Sequence, residues 1–215
     1  MGMGLDTKTR MEMETEIGIT GMQKMKQQFP VLHSARLLLR KVRPEDGAAL
    51  YRALSNPRVA RYLSFRMDTT RSEERLIRYF EDCSRTLSSL HFAVLIRETG
   101  RFAGLCSLQR LNEMDSSASI GYMVDPACWN RGIATEAARQ LLQFGFDSLG
   151  LRVIHASCEA DNTASSRVMV KCGFRRASEE YPQISGPGTG LRQLHYSLTA
   201  EQREIGDKRY ALLHN

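Results

Sequence analysis

Residues 119–174 read SIGYMVDPACWNRGIATEAARQLLQFGFDSLGLRVIHASCEADNTASSRVMVKCGF. The stretch begins as a strand, Ala118–Val124, closed by Asp125-Pro126. A glycine-bearing turn follows, then a helix predicted over Ile133–Leu149. Ala134, Ala137, Ala138, Leu141, Leu142, Gly145 and Leu149 recur at helical spacing and give it a wide apolar stripe. Gly150 suits its C-terminal cap. Residues 151–158 make a second strand, and Asn162 through Cys172 a short helix ending at Gly173. Two strands joined through a helix run parallel or diverge. At the turn, the first N–H groups of the long helix have no partner in the helix. Those donors and the helix dipole favour an anion such as a pyrophosphate. Gly132 lets a ligand approach the backbone, Ala134 is small, and Arg131 adds charge. Read alone, the same residues also describe an ordinary helix start whose donors meet water.

The flanks complete a sheet. Upstream, His91–Glu98 and Arg101–Leu111 form a hairpin about Thr99-Gly100. Gly104 marks a bulge or a close backbone approach. Residues 35–43 suit a first strand. Pro44-Glu45-Asp46 opens a helix that Asn56-Pro57 stops, and Ser72 caps a second one with Leu76, Ile77, Phe80, Cys83 and Leu87 inward. These helices and the basic segment 58–71 form a lid beside the sheet. Downstream, Phe174–Arg176 leads into a hairpin whose loop carries Gly186, Gly188 and Gly190. No helix follows them, which argues against a phosphate loop. Residues 191–198 close the sheet. The division expected is a flexible extension over 1–31 (or sequence upstream of a later start such as Met22 or Met25), a domain over 32–198 and a polar tail over 199–215.

Thirty basic and 24 acidic side chains leave a net charge of +6 over 215 residues, a modest excess that suits an anionic ligand or plain solvated surface. The five cysteines form no CxxC pair and mostly sit in apolar patterns, as expected of reduced thiols in a cytoplasmic protein. The histidines lack ligand spacing, so no metal is expected. No apolar run reaches the roughly 20 residues of a membrane span, and the N-terminus does not read as a signal peptide.

The order of meander, WNRGIATEA, helix, strand and NTASSRVMVKCGF resembles the GCN5-related N-acetyltransferase superfamily. More narrowly it is similar to the RimJ/RimL-type branch, which includes ribosomal-protein N-terminal acetyltransferases. HSARLLLRKVRPEDGAAL, NPRVARYL and ETGRFAGLCSL resemble that branch's opening strand and helix, its next segment and its central hairpin. The resemblance covers residues 32–198. It implies an α+β fold, a mixed and mostly antiparallel sheet flanked by helices, with two central strands splayed to hold acetyl-CoA as cosubstrate. Pantetheine would pair with the backbone at Met123 and Val124, as a peptide adds to a strand edge. The pyrophosphate would rest on Asn130, Arg131, Gly132, Ile133, Ala134 and Thr135. Trp129 stands where many relatives have Gln or Arg, and is expected to pack.

Asn162 has two readings: a helix cap with Ser165 three residues on, and the family asparagine that touches the cofactor arm. Ser165 matches the serine of the branch's NxxS pattern and is the candidate to protonate the departing thiolate, since the tyrosine many members carry seven residues after the asparagine is here Met169. The base is open. Ser157 and Ser119 stand where relatives place glutamates. Glu159, on one strand face with Ser157 and His155, is the carboxylate candidate; Glu113 and Asp115 are more distant. The resemblance therefore implies an acetyl-CoA-dependent N-acetyltransferase in which a primary amine attacks directly, with a protein N-terminal α-amine preferred. A small-amine acceptor (amino acid, polyamine or aminoglycoside) and a non-catalytic acyl-CoA sensor are the alternatives. No metal, nucleic acid or membrane contact is expected, and a homodimer is compatible.

Overall fold

The computed structural model describes residues 28–63, 72–177 and 193–205. Most of the predicted N-terminal extension, residues 64–71 of the basic segment, the loop with Gly186, Gly188 and Gly190, and the tail beyond 205 lie outside the described residues.

Eight strands form one sheet: β1 (Leu32–His33), β2 (Leu37–Lys41), β3 (Ser89–Ile96), β4 (Phe102–Asn112), β5 (Ser117–Val124), β6 (Val153–Glu159), β7 (Arg175–Arg176) and β8 (Gln193–Thr199). Their order is β1-β2-β3-β4-β5-β6-β8-β7. Every neighbouring pair is antiparallel except β5 with β6. The helical connection between those two strands is the crossover that a parallel pair requires. The helices are α1 (Gly47–Ser55), α2 (Pro57–Ala60), α3 (Glu73–Thr86), α4 (Ile133–Gln143) and α5 (Thr163–Lys171).

Strand alternation sorts the apolar side chains into two cores. Phe92 and Val94 of β3 pack with Leu37, Leu39, Leu141 and Ile154 on the α4 face. Ala93 and Leu95 pack with Leu54, Leu76, Phe80 and Met123 on the α1 and α3 face. β3 is buried on both faces, which explains its unbroken apolar run. Pro44-Glu45-Asp46 forms a single 3-10 turn ahead of α1. Buried Asp46 fixes it, accepting from the Arg43 N–H at 2.9 Å and from both terminal nitrogens of Arg40 at 2.7 and 2.9 Å. Ser72 caps α3 through the Arg75 N–H, and all five cysteines are free thiols.

The start of the segment expected to be irregular from residue 58 is helical, in α2, because Asn56 caps it through the Arg58 N–H, and β3 lies two residues earlier than expected. Three further boundaries differ from the sequence expectation. The first long strand starts at Leu37, because Ser34–Arg36 turns: the Ser34 N–H donates to the Leu37 carbonyl and its hydroxyl accepts from the Leu37 N–H, both at 3.0 Å. The helix expected to reach Leu149 is α-helical only to Gln143 and widens to a π-helical turn at Phe144–Ser148. There Gly145 rests on β6: a Cβ on it would lie 2.9 Å from Ile154 Cδ1. Residues 200–205 of the expected tail are helical. Thr199 and Gln202 cap that helix reciprocally, each backbone N–H donating to the other's side-chain oxygen at 3.2 Å. Arg203 then pairs with Asp147 and covers the Phe146 ring.

Gly104 is a close approach. A Cβ there would stand 2.2 Å from the Met123 carbonyl oxygen, so β4 and β5 must separate to admit one. Gly104→Ala is expected to cost about 2 kcal/mol or more, read by urea unfolding; an unchanged midpoint would remove the contact as a constraint. A second expectation concerns acid. His91 meets the Phe80 ring edge-on at 4.8 Å, and neither ring nitrogen has a hydrogen-bond partner among the described residues. Burial lowers its pKa from 6.5 to about 4. The unfolded chain therefore takes up this proton first. The stability linked to His91 is complete above pH 6.5 and drains away as pH falls toward 4, by on the order of 2 kcal/mol at pH 5. His91→Leu should lose less melting temperature than wild type between pH 7.5 and 5, and equal losses would clear His91.

Candidate active site

β5 and β6 pair over three residues only: Ser117, Ala118 and Ser119 with Val153, Ile154 and His155. Beyond them β5 stays on β4 through Val124, and β6 stays on β8 through Glu159. From Ile120 and Ala156 onward the two inner edges face one another without a ladder. The N–H of Asp125 donates to the Ala103 carbonyl at 2.8 Å, which fixes the phase of the β4–β5 pairing. Antiparallel partners alternate between bonded and non-bonded pairs. Ser119, Gly121 and Met123 thus spend their backbone groups on β4, while Ile120, Tyr122 and Val124 turn theirs to the gap. The Val124 carbonyl accepts from Trp129 Nε1 at 2.7 Å, leaving its N–H for a ligand. Of the two positions expected to present backbone to pantetheine, Val124 faces the gap. Met123 does not: its backbone serves β4 and its side chain the α1 and α3 core. Tyr122 is the other gap-facing position.

The turn from β5 to α4 is built locally. Asp125 accepts from the Ala127 N–H, and Trp129 packs, as expected, with the Arg58 guanidinium 4.5 Å from its ring centre. Asn130 and Gly132 take left-handed backbone, φ 60° and 75°. The α4 ladder begins with the Glu136 N–H on the Gly132 carbonyl at 3.0 Å, so the N–H groups of Ile133, Ala134 and Thr135 precede it. No side chain caps Gly132. Asn130, Arg131 and Gly132 are exposed. Sequence reasoning missed Arg36, which shares this corner. Its Nη2 stands 2.6 Å from Glu136 Oε2, its Nη1 donates to the Arg131 carbonyl at 3.0 Å, and a Cβ on Gly132 would lie 3.5 Å from it. Glu136 also accepts from the Ser34 hydroxyl at 2.7 Å and the Arg36 N–H at 2.9 Å. Burial pushes the Glu136 carboxyl up, and these donors outweigh it, leaving the pKa lowered. The acidic residue at the helix start is thereby satisfied from the far side.

Across the gap, Asn162 Oδ1 caps α5 by accepting the Ser165 N–H at 3.1 Å. That is the structural half of its reading. The Ser165 hydroxyl lies 2.9 Å from the Tyr122 hydroxyl, which also donates to the Ser165 carbonyl at 3.1 Å. Burial raises the Tyr122 phenol well above its ordinary range, against the pull of its Ser165 bond. Cys158 lies on the same face; burial raises its thiol, and a hydrogen bond with Ser165 opposes the rise. The α5 end is held to α4 by Arg139 Nη2 on the Lys171 carbonyl at 2.8 Å.

The opposite face of the gap is different. Ser119 stands beside His155, His155 beside Ser197, and Ser157 beside His195. Glu159 shares that face by alternation. The structure therefore places Glu159 and Ser165 on opposite faces of the sheet. Among the described residues no helix is long and apolar enough to cross a membrane.

Residues 36–175 match the acetyltransferase (GNAT) domain family, and the chain belongs to it. It is an acetyl-CoA-dependent N-acetyltransferase. The uncharacterised N-acetyltransferase p20 of Bacillus licheniformis is 32% identical over 158 residues, 72% of this chain and 89% of that protein. The ribosomal-protein-serine acetyltransferase of Escherichia coli K12 is 29% identical over 80 residues, 37% and 45% of the two chains. The fold matches Mycobacterium smegmatis RimJ in complex with CoA-disulfide, at TM-score 0.70 and 23% identity, covering 84% of this chain and 95% of that one. The mixed eight-stranded sheet with a parted parallel pair is the fold that the family resemblance implied. The residues present fit a CoA thioester: an open strand edge, a left-handed turn with free donors, and two arginines beside it.

If that turn carries pyrophosphate, Gly132→Val should weaken CoA binding at least tenfold by calorimetry. Gly150, also left-handed at φ 66° and with open space around it, is the control. Gly150→Val strains the backbone similarly and should leave affinity within about twofold. Equal losses in the two variants would refute the placement.

Proposed function

We propose that this acetyltransferase acetylates the α-amine of a protein N-terminus by direct attack on acetyl-CoA. The observation that carries the reading is the face opposite α5. Ser119 and Ser157 stand there, with His155 between them, where a carboxylate base is the alternative. Among the described residues of β5 and β6, Glu159 at the strand end is the one carboxylate on that face, two positions beyond Ser157, so an amine that arrives neutral in good part is favoured. About a quarter of an α-amine is neutral near pH 7.4, against about one part in a thousand of a lysine-like amine. Positioning then supplies much of the rate.

The roles follow from the two faces. The Val124 N–H and the open edge hold the pantetheine arm. Asn130, Arg131, Gly132, Ile133, Ala134 and Thr135 receive the pyrophosphate, with Arg36 beside them. Asn162 orders the start of α5, from which Ser165 meets the departing sulfur. The acceptor enters from the other face, where Glu159 passes the released proton to solvent. A backbone N–H at the gap polarises the thioester carbonyl as charge develops.

An acceptor screen tests this, following CoA thiol release with unblocked peptides, N-acetylated lysine peptides, polyamines and amino acids. Unblocked peptides should exceed the others in kcat/KM by at least tenfold, with kcat/KM rising tenfold per pH unit until the α-amine has titrated near ~8. Equal use of a polyamine or a blocked lysine peptide would refute the α-amine assignment. Tight CoA binding with no release for any amine would instead favour a binding module.

A further inference from the structure

We propose that Tyr122 is a positioning residue that aims the Ser165 hydroxyl at the thioester sulfur; this rests on the transferase reading and assigns a residue to its least defined step. Met169 occupies the position at which many related enzymes carry a tyrosine, so α5 cannot supply a phenol there. β5 supplies one from the other side of the gap. The Tyr122 oxygen stands 2.9 Å from Ser165 Oγ and 3.1 Å from the Ser165 carbonyl. This contact joins β5 to α5 beyond the last parallel pair, Ser119 with His155.

The contact also decides which way the serine proton points. A serine hydroxyl in a helix tends to fold back on a carbonyl of the preceding turn. Here the Ser165 N–H is held by Asn162 Oδ1. The phenol has one proton and two acceptors in reach, the Ser165 carbonyl and Ser165 Oγ; in the proposed aim it goes to Oγ, and the serine's own proton turns to the gap side, where Cys158 also lies. Burial keeps Tyr122 protonated throughout the working pH range. Tyr122 thus keeps its proton and does not relay it.

The step balances without one. The amine nitrogen forms its bond to the carbonyl carbon, the carbon–sulfur bond breaks, and the electron pair stays on sulfur. Ser165 Oγ–H donates a hydrogen bond to that sulfur as charge builds. A serine hydroxyl is a far weaker acid than a thiol, so it retains its proton. The proton lost by the amine ends on solvent or on CoA as the free thiol. Ser165 stabilises the leaving group, and Tyr122 aims it.

The test compares wild type, Tyr122→Phe, Ser165→Ala and the double variant. Two quantities are read: turnover with a saturating amine, and the thiol pKa of bound CoA from the ultraviolet absorbance of its thiolate. Tyr122→Phe retains the ring and its packing. Each single variant should lower kcat about tenfold or more and change the acetyl-CoA KM by less than about threefold. The double variant should be no slower than the slower single one, because both remove the same hydrogen bond. The bound thiol pKa should rise by about one unit in both. A Tyr122→Phe variant with wild-type kcat and wild-type thiol pKa overturns the proposal. So does a double variant whose loss is the product of the two single losses. The bound-thiol measurement needs no acceptor, so it decides on Tyr122 even where no amine is turned over, an outcome that would count against the transferase reading alone.

Discussion

The site exists because a parallel ladder stops after three pairs. β5 and β6 are each committed along their outer edges, β5 to β4 and β6 to β8. Neither can bend to close the gap without giving up those bonds. An unpaired strand edge inside a sheet is costly unless something bonds to it. The same deficit that weakens the sheet here is one that an extended amide-bearing ligand can satisfy. The lever that holds β5 in place is the tight crossing of Gly104 over the Met123 carbonyl.

The second requirement is that a helix start with open donors stay put. α4 has no side-chain cap at Gly132. It is held instead by its fourth residue, Glu136, which reaches back to the turn before β2. The Ser34 hydroxyl, the Arg36 backbone and the Arg36 guanidinium all converge on that carboxylate. Three donors on one carboxylate satisfy its charge, so Glu136 does not compete for the helix N–H groups. Arg36, while bound to Glu136, also grips the Arg131 carbonyl. Arg36 therefore ties the start of β2 to both the turn and the first helical turn of α4.

Local chemistry was legible in the sequence, and relative placement was not. Asn162 with Ser165, Ser72 with Arg75, and Gly132 at the start of α4 are read from neighbours within a few residues. The open edge was found, but its phase was not. Whether Met123 or Tyr122 faces the gap depends on the alignment of β5 with β4, which the β5 sequence does not encode by itself. Arg36 and Glu136 meet across a hundred residues, and nothing near either one announces the other. The helix at residues 200–205 was missed for a different reason: the Thr199…Gln202 capping box stood in the sequence, but the segment lacked an apolar stripe to draw attention to it. At the π-helical turn Gly145 lies against Ile154 of β6, a contact that a periodicity count along the helix does not display.

Strand alternation gives the two sides of the gap separate histories. Tyr122 and Cys158 look toward α5, while Ser119, Gly121, His155 and Ser157 look the other way. A substitution at an odd-numbered position of β5 or β6 changes one face of the gap without touching the α5 side, and one at an even-numbered position does the reverse. The two faces can therefore vary separately: odd-numbered side chains can change in size and charge while the packing of Tyr122, Cys158 and Ser165 on the α5 side stays as it is.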